Sequence, residues 1–179
     1  MSSDREEIIQ LINLYGLAMD SQRWDLFDQL FTEYVDADYG SGSHWTSLGQ
    51  FKADFGAFHA AFDATQHMMT NHIVRISGEV AYAMTYGSWR LVRYSAGDGA
   101  AEGGPLWDGS GWYDDGLVKT HAGWRIRKRV CRVIWATGNP KVKQTLPDVS
   151  FEDTVYNLRA EAEAGRVSIL HAIDAREGE

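Results

Sequence analysis

The sequence predicts an α+β fold: a curved, mainly antiparallel sheet laid over N-terminal helices, with a pocket between the two layers. Three observations predict it. Helical apolar spacing dominates before Thr65, whereas strand-like runs dominate after it. The breaks between those runs, Ser77-Gly78-Glu79, Ala96–Gly104 and His121-Ala122-Gly123, are Gly-rich or polar, as expected of strands paired in sequence order. Finally, 7 Trp, 8 Tyr and 7 Phe in 179 residues supply the large apolar surfaces that line ligand pockets.

The elements follow in order. Ser3-Asp4-Arg5-Glu6 has the form of a capping box. Apolar residues at Ile8, Ile9, Ile12, Tyr15 and Met19 mark the helix behind it, which should end near Asp20. Trp24–Phe31 reads as a second short helix, Tyr34–Tyr39 as a short strand, and Gly40–Gly49 as a loop. Phe51, Phe55, Phe58 and Phe62 form the apolar stripe of a third helix. Four strand-like runs come next, over Gln66–Ser77, Val80–Tyr94, Leu106–Lys119 and Gly123–Thr137. Gly138-Asn139-Pro140 ends the last. Phe151–Ala164 has helical character, with Val167–Ile173 extending it. The chain thus reads as one domain over 1–150 with a C-terminal helical extension over 151–179.

Composition excludes several classes of function. A formal net charge of −8 is unsuited to non-specific nucleic-acid binding. The basic run Arg125-Ile126-Arg127-Lys128-Arg129 is interrupted by Ile126 and reads as a solvated or subunit-facing side of a strand. With 1 Cys, no internal disulfide forms. The N-terminus is polar and acidic, and no apolar run reaches the roughly 18–20 residues that span a bilayer, so the expectation is a cytoplasmic protein with no membrane contact. No motif calls for a nucleotide, flavin or metal. His67 and His72 are five apart, so in a regular strand they face opposite ways.

The chemistry centres on Ala64–Gly78. In an extended chain, the even spacing of His67, Asn71 and Arg75 puts them on one face. Asp20, at the end of an otherwise apolar helix, sits badly with the negative end of the helix dipole and calls for a donor. An imidazole N–H meets that need, and a His–Asp pair makes a general base. Arg132 shares a strand face with Val130, Ile134 and Ala136, where it calls for an anion or a ligand oxygen. Cys131, Val133 and Trp135 take the other face, which predicts a homo-oligomer, dimer or trimer, covering it.

Tyr15-Gly16-Leu17-Ala18-Met19-Asp20, His67-Met68-Met69-Thr70-Asn71, Gly111-Trp112-Tyr113-Asp114, Gly123-Trp124-Arg125-Ile126 and Arg132, in this order, make the chain resemble the SnoaL-like group of the nuclear-transport-factor-2-like superfamily. Among that group the similarity is to scytalone dehydratase, bile-acid 7α-dehydratase and hexachlorocyclohexane dehydrochlorinase. The resemblance implies a cone-shaped sheet enclosing an apolar pocket, and a cofactor-independent lyase. It also implies catalytic roles for His67, Asp20, Tyr15 and Arg132. Substrate binding is assigned to Asn71, Trp24, Phe55, Met69 and Trp112, with no metal. Scytalone dehydratase uses a second pocket histidine, for which the sequence shows no counterpart.

The expected partner is a hydrophobic aromatic or polycyclic small molecule undergoing dehydration or retro-aldol cleavage. The alternatives are a non-catalytic small subunit or ligand-binding module of the same fold, or a ketosteroid-isomerase-like isomerase.

Overall fold

A computed structural model of the chain describes residues 3–40, 42–97, 103–146 and 153–175. Helix α1 (Asp4–Asp20) begins at the capping box: the Glu6 N–H donates to the Ser3 hydroxyl at 3.3 Å, and the Ser3 N–H donates to the Glu6 carboxylate at 2.8 Å. The segment expected to be a second helix is shorter. A 3-10 turn (Trp24–Leu26) leads into α2 (Phe27–Leu30), and Phe31 is already extended and opens strand β1 (Phe31–Asp38). Phe31 leaves the helix because it pairs with Ile126 of the sheet. The expected loop after Tyr39 holds a two-residue strand, β2 (His44–Trp45), paired back on β1, and helix α3 (Leu48–His59) begins before that loop was expected to end.

Four long strands follow: β3 (Ala64–Ser77), β4 (Val80–Val92), β5 (Leu106–Thr120) and β6 (Gly123–Gly138). The sheet runs β2-β1-β6-β5-β4-β3. All neighbours are antiparallel except β1 and β6, which are parallel. This is the curved, unclosed six-stranded sheet of an α+β cone. Helices α1, α2 and α3 bury their apolar faces against its concave side. Rings on the concave side lie flat on the strands because glycine leaves room. A Cβ on Gly109 would stand 2.5 Å from the Trp107 ring, and one on Gly111 would stand 1.8 Å from the Arg132 carbonyl oxygen and 2.9 Å from the Trp89 ring.

The tail takes the convex side. The helix expected over 151–164 begins outside the described residues, and from Asp153 the chain is extended, with Val155 bridged to Val133. Only Leu158–Glu163, α4, is helical, capped by Asn157. Helix α5 (Ser168–Asp174) follows and docks Val167 and Ile169 onto Trp112 and Met84. Its first N–H groups, of Ser168 and Ile169, donate to the Asp114 carboxylate at 2.6 and 3.3 Å. Among the described residues no helix is long and apolar enough to cross a membrane.

Two β-bulges overturn expectations based on strict alternation. One lies between Thr70 and Ile73, where Asn71 has φ 55°. It turns Asn71 outward and brings His72 to the concave side, with Nδ1 2.9 Å from Thr85 Oγ1. The other lies where Gly116 pairs with Lys128 and Leu117 with Ile126, leaving Arg127 as the extra residue. Past it, Arg129, Cys131 and Val133 turn inward and Arg132 turns outward. The apolar pair Cys131 and Val133, expected to lie between subunits, is cavity wall.

Arg129, expected on a solvated or subunit-facing side, is fully buried. It donates to Asp115 through Nε and Nη2, each at 2.7 Å. Its guanidinium stacks on Tyr15 at 4.2 Å and Tyr113 at 4.6 Å. Removing one partner of such a pair leaves a buried, uncompensated charge. Asp115→Ala is expected to cost about 3–5 kcal/mol in urea unfolding, whereas the double variant Asp115→Leu with Arg129→Met recovers most of that loss.

Candidate active site

Helix α1 crosses β3 at Gly16. A Cβ there would stand 3.0 Å from the His67 carbonyl oxygen and 3.3 Å from Met69 Cγ, so only glycine lets the helix lie this close without displacing a neighbour. One turn later Asp20 is on the same helix face and meets His67. Its carboxylate accepts from His67 Nδ1 at 2.7 Å, from the His67 backbone N–H at 2.8 Å and from Thr65 Oγ1 at 2.9 Å. Burial pushes the Asp20 carboxyl up, but these hydrogen bonds and the charge of His67 outweigh it and hold it below its usual value. Because a carboxylate only accepts, Nδ1 carries the proton, which leaves the Nε2 lone pair of His67 free to act. The imidazole is 6% exposed and the Asp20 side chain 28%.

His67 lines a cavity of about 470 Å³ between sheet and helices. Its walls are mostly aromatic and apolar, from Phe55 and Phe58 on α3 to Trp89 and Trp107 on the sheet. Tyr15 lines it as well, with its hydroxyl 3.0 Å from that of Tyr39. Tyr113 accepts from Trp89 Nε1 at 2.7 Å, so its own O–H remains a donor. Burial pushes the Tyr15 hydroxyl up to about 12, against the pull of Arg129, and raises Tyr39 and Tyr113 well above their usual value. All three are therefore neutral donors. Burial likewise drives the Cys131 thiol up to about 12, which keeps it from acting as a nucleophile.

A second imidazole shares the cavity. His59 ends α3, is 3% exposed, and its ring centroid lies 6.4 Å from that of His67. Its Nδ1 donates to the Phe55 carbonyl at 2.7 Å, and Gln22 Nε2 donates to its own carbonyl at 3.1 Å. Burial lowers it to about 4, so at neutral pH it is an uncharged ring. It sits four residues after Phe55, and that helical spacing within the phenylalanine stripe could have found it from sequence. Among the described residues, no group of three or more His, Cys, Asp or Glu is gathered to hold a metal ion.

The structure brings His67, Asp20, Tyr15 and Phe55 together and sets the other expected residues apart. Arg132 is on the convex side: it donates to both oxygens of Asp38, at 3.1 and 2.6 Å, and lies 4.9 Å from the Tyr156 ring. Asn71 is turned outward by its bulge. Trp112 is buried on the convex side under α5. Trp24 packs behind His59, with ring centroids 5.3 Å apart, and Met69 is taken up by the α1 crossing; neither reaches the cavity wall. Tyr39, Tyr113, Trp89, Lys143 and Asp153 line it unannounced, since nothing in their local spacing marks them.

Fold and family agree. Residues 1–130 match the model of the SnoaL-like domain, and the chain belongs to that family. An uncharacterised protein of Mycobacterium tuberculosis is 32% identical over 132 residues, covering 72% of this chain and 84% of that one. Among solved structures, a protein from Novosphingobium aromaticivorans assigned as a scytalone dehydratase superposes with a TM-score of 0.67 at 18% identity, covering 86% of this chain and 91% of that one. A nuclear-transport-factor-2-like protein from Salmonella enterica gives 0.62 at 20%, covering 76% and 91%. A type 2 hexachlorocyclohexane dehydrochlorinase gives 0.64 at 12%, covering 83% and 92%. At these identities the structural matches establish the cone fold.

The burial of His59 has a consequence for stability that can be measured. His59 falls from the usual 6.5 to about 4 on folding, so between those values the unfolded chain binds the extra proton and stability rises with pH. This stabilising share is complete above pH 6.5 and is lost as pH falls toward 4. Between pH 7 and pH 5, the parent protein is expected to lose about 2 kcal/mol more than His59→Phe, read from urea midpoints at the two pH values. Equal losses would show that His59 is not held neutral by burial.

Proposed function

We propose that the protein is a cofactor-independent lyase acting on a hydrophobic, aromatic or polycyclic small molecule, with His67 as its general base. The observation that carries this reading is the Asp20–His67 hydrogen bond of 2.7 Å at the wall of an aromatic-lined cavity. Of the two cavity imidazoles, only His67 has a carboxylate to stabilise its cation, and His59 at about 4 is too weak a base for neutral pH. In the proposed reaction on a β-hydroxy ketone, His67 Nε2 takes a proton from the carbon beside the carbonyl. Charge gathers on the carbonyl oxygen, where a neutral tyrosine hydroxyl, from Tyr15, Tyr39 or Tyr113, donates to it. The β-hydroxyl then leaves with the proton held on the imidazolium, giving an enone and water. Neighbours assigned as a scytalone dehydratase and a dehydrochlorinase support the reaction class, and the wall of Phe55, Phe58, Trp89 and Trp107 supports an aromatic substrate.

The test uses 3-hydroxy-1-tetralone in D₂O. Proton removal is read as deuterium at C2 by mass spectrometry, and dehydration as 1-naphthol fluorescence. His67→Ala is expected to slow both by about 10²–10⁴-fold. Asp20→Asn should approach the same loss, since the amide can fix the wrong tautomer, while Tyr15→Phe costs less because Tyr39 and Tyr113 keep their hydroxyls at the cavity. A His67→Ala rate within about tenfold of the parent, which is only ~1.4 kcal/mol, or a parent that accelerates neither step, would refute the lyase reading.

A further inference from the structure

A charged pair in the cavity has no part in proton transfer at His67. Lys143 closes the 3-10 turn Pro140–Lys143 behind β6, and Asp153 lies on the extended segment that bridges β6 at Val133. Both line the same cavity as His67. In the sheet, β3 with His67 is separated from that segment by β4, β5 and β6, four strand spacings of about 4.8 Å each. The curvature folds the two ends over one space.

Lys143 is 8% exposed, and a buried ammonium is costly unless paired. Its Nζ donates to one oxygen of Asp153 and lies 4.8 Å from the Trp107 ring centroid. The other Asp153 oxygen accepts from Trp107 Nε1 at 3.1 Å. An apolar residue in place of the lysine would close an apolar cavity at less cost than a buried ammonium, whose partner Asp153 keeps 28% of its side chain exposed. What the charged pair adds is a donor and an acceptor side by side, carrying no net charge between them.

We propose that Lys143 and Asp153 form a hydroxyl-recognition subsite, selecting ligands that carry a neutral phenolic or alcoholic hydroxyl on the part of the skeleton remote from His67. That such a ligand is also the substrate rests on the lyase reading above; the subsite itself does not. A hydroxyl accepts from the ammonium and donates to the carboxylate at once. A carboxylate ligand meets the like charge of Asp153, an amine in its cationic form meets that of Lys143, and a carbonyl engages only the lysine.

Equilibrium dialysis at pH 7 with three bicyclic probes tests this: 2-naphthol, its isostere 2-methylnaphthalene, and 2-naphthoate. The parent protein is expected to bind 2-naphthol at least tenfold more tightly than 2-methylnaphthalene, with 2-naphthoate weaker than 2-naphthol. That ratio should fall to within threefold in Lys143→Met and in Asp153→Asn and persist in His67→Ala. Where Lys143→Met does not melt cooperatively, Asp153→Asn, which keeps the lysine and the shape of the acid, decides alone. A ratio unchanged in the lysine and aspartate variants, a ratio lost in His67→Ala alone, or tighter binding of 2-naphthoate each overturns the subsite. Failure of the tetralone reaction with the hydroxyl ratio intact overturns the lyase reading and leaves the subsite standing.

Discussion

The close approach of α1 to β3 at Gly16 is the constraint on which the rest of the site depends. It brings a helix backbone onto the His67 carbonyl and so fixes the height at which Asp20 arrives one turn later. The carboxylate ends the helix at the pole where the dipole opposes a negative charge. Three donors, two from His67 and one from Thr65, more than offset that opposition. Gln22, at φ 51° just past the helix, then reaches the His59 carbonyl and fastens α3 to the same corner. Helix, strand and second helix are thus tied together around one imidazole pair.

A second constraint acts beneath the cavity. Arg129 is held by Asp115 in full burial, and it stacks against Tyr15 and Tyr113, two of the rings that line the cavity. Its positive charge lowers the cost of ionising those tyrosines, but burial dominates and keeps them protonated. The result is a floor of neutral O–H groups backed by a fixed cation, an arrangement suited to an oxygen that gains negative charge. The glycines at 109 and 111 let Trp107 and Trp89 lie flat, which leaves the space above the floor open to a ligand.

The parts of this arrangement that follow regular periods were legible in the sequence. The capping box marks the start of α1, its apolar repeat places Asp20 at the end, and the expected bounds of the four long strands agree with the observed ones to within two residues at each end. His67 and Asp20 could be paired because each needed the other chemically. Arg132 and Asn71 lie on the other face for one reason: alternation assumes an unbroken strand, and a bulge inserts a residue that reverses the side chains beyond it as far as the next irregularity. The bulge at Arg127 exchanges Arg132 for Cys131 and Val133 at the cavity, and that at Asn71 exchanges Asn71 for His72 on the concave side. Trp112 was misplaced for a different reason: nothing in its local pattern says that the tail will dock on the convex sheet.

The bulges also separate two kinds of arginine that composition treats alike. Arg132, turned outward, donates to Asp38 through both Nη atoms, lies over the Tyr156 ring with its Nε unpartnered among the described residues, and helps hold the extended tail segment against β1 and β6. Arg129, turned inward, has an Nη1 with no acceptor among the described residues, so the aromatic faces take the place of an oxygen there. The convex side is thereby committed to holding the tail, through Arg132, Asp114 and Trp112, and the concave side to the cavity. Asp153, on that same tail segment, is the point where the two meet. It reaches past the edge of β6 to Lys143 and Trp107, so the order of the tail on the outside sets the polarity of the wall on the inside.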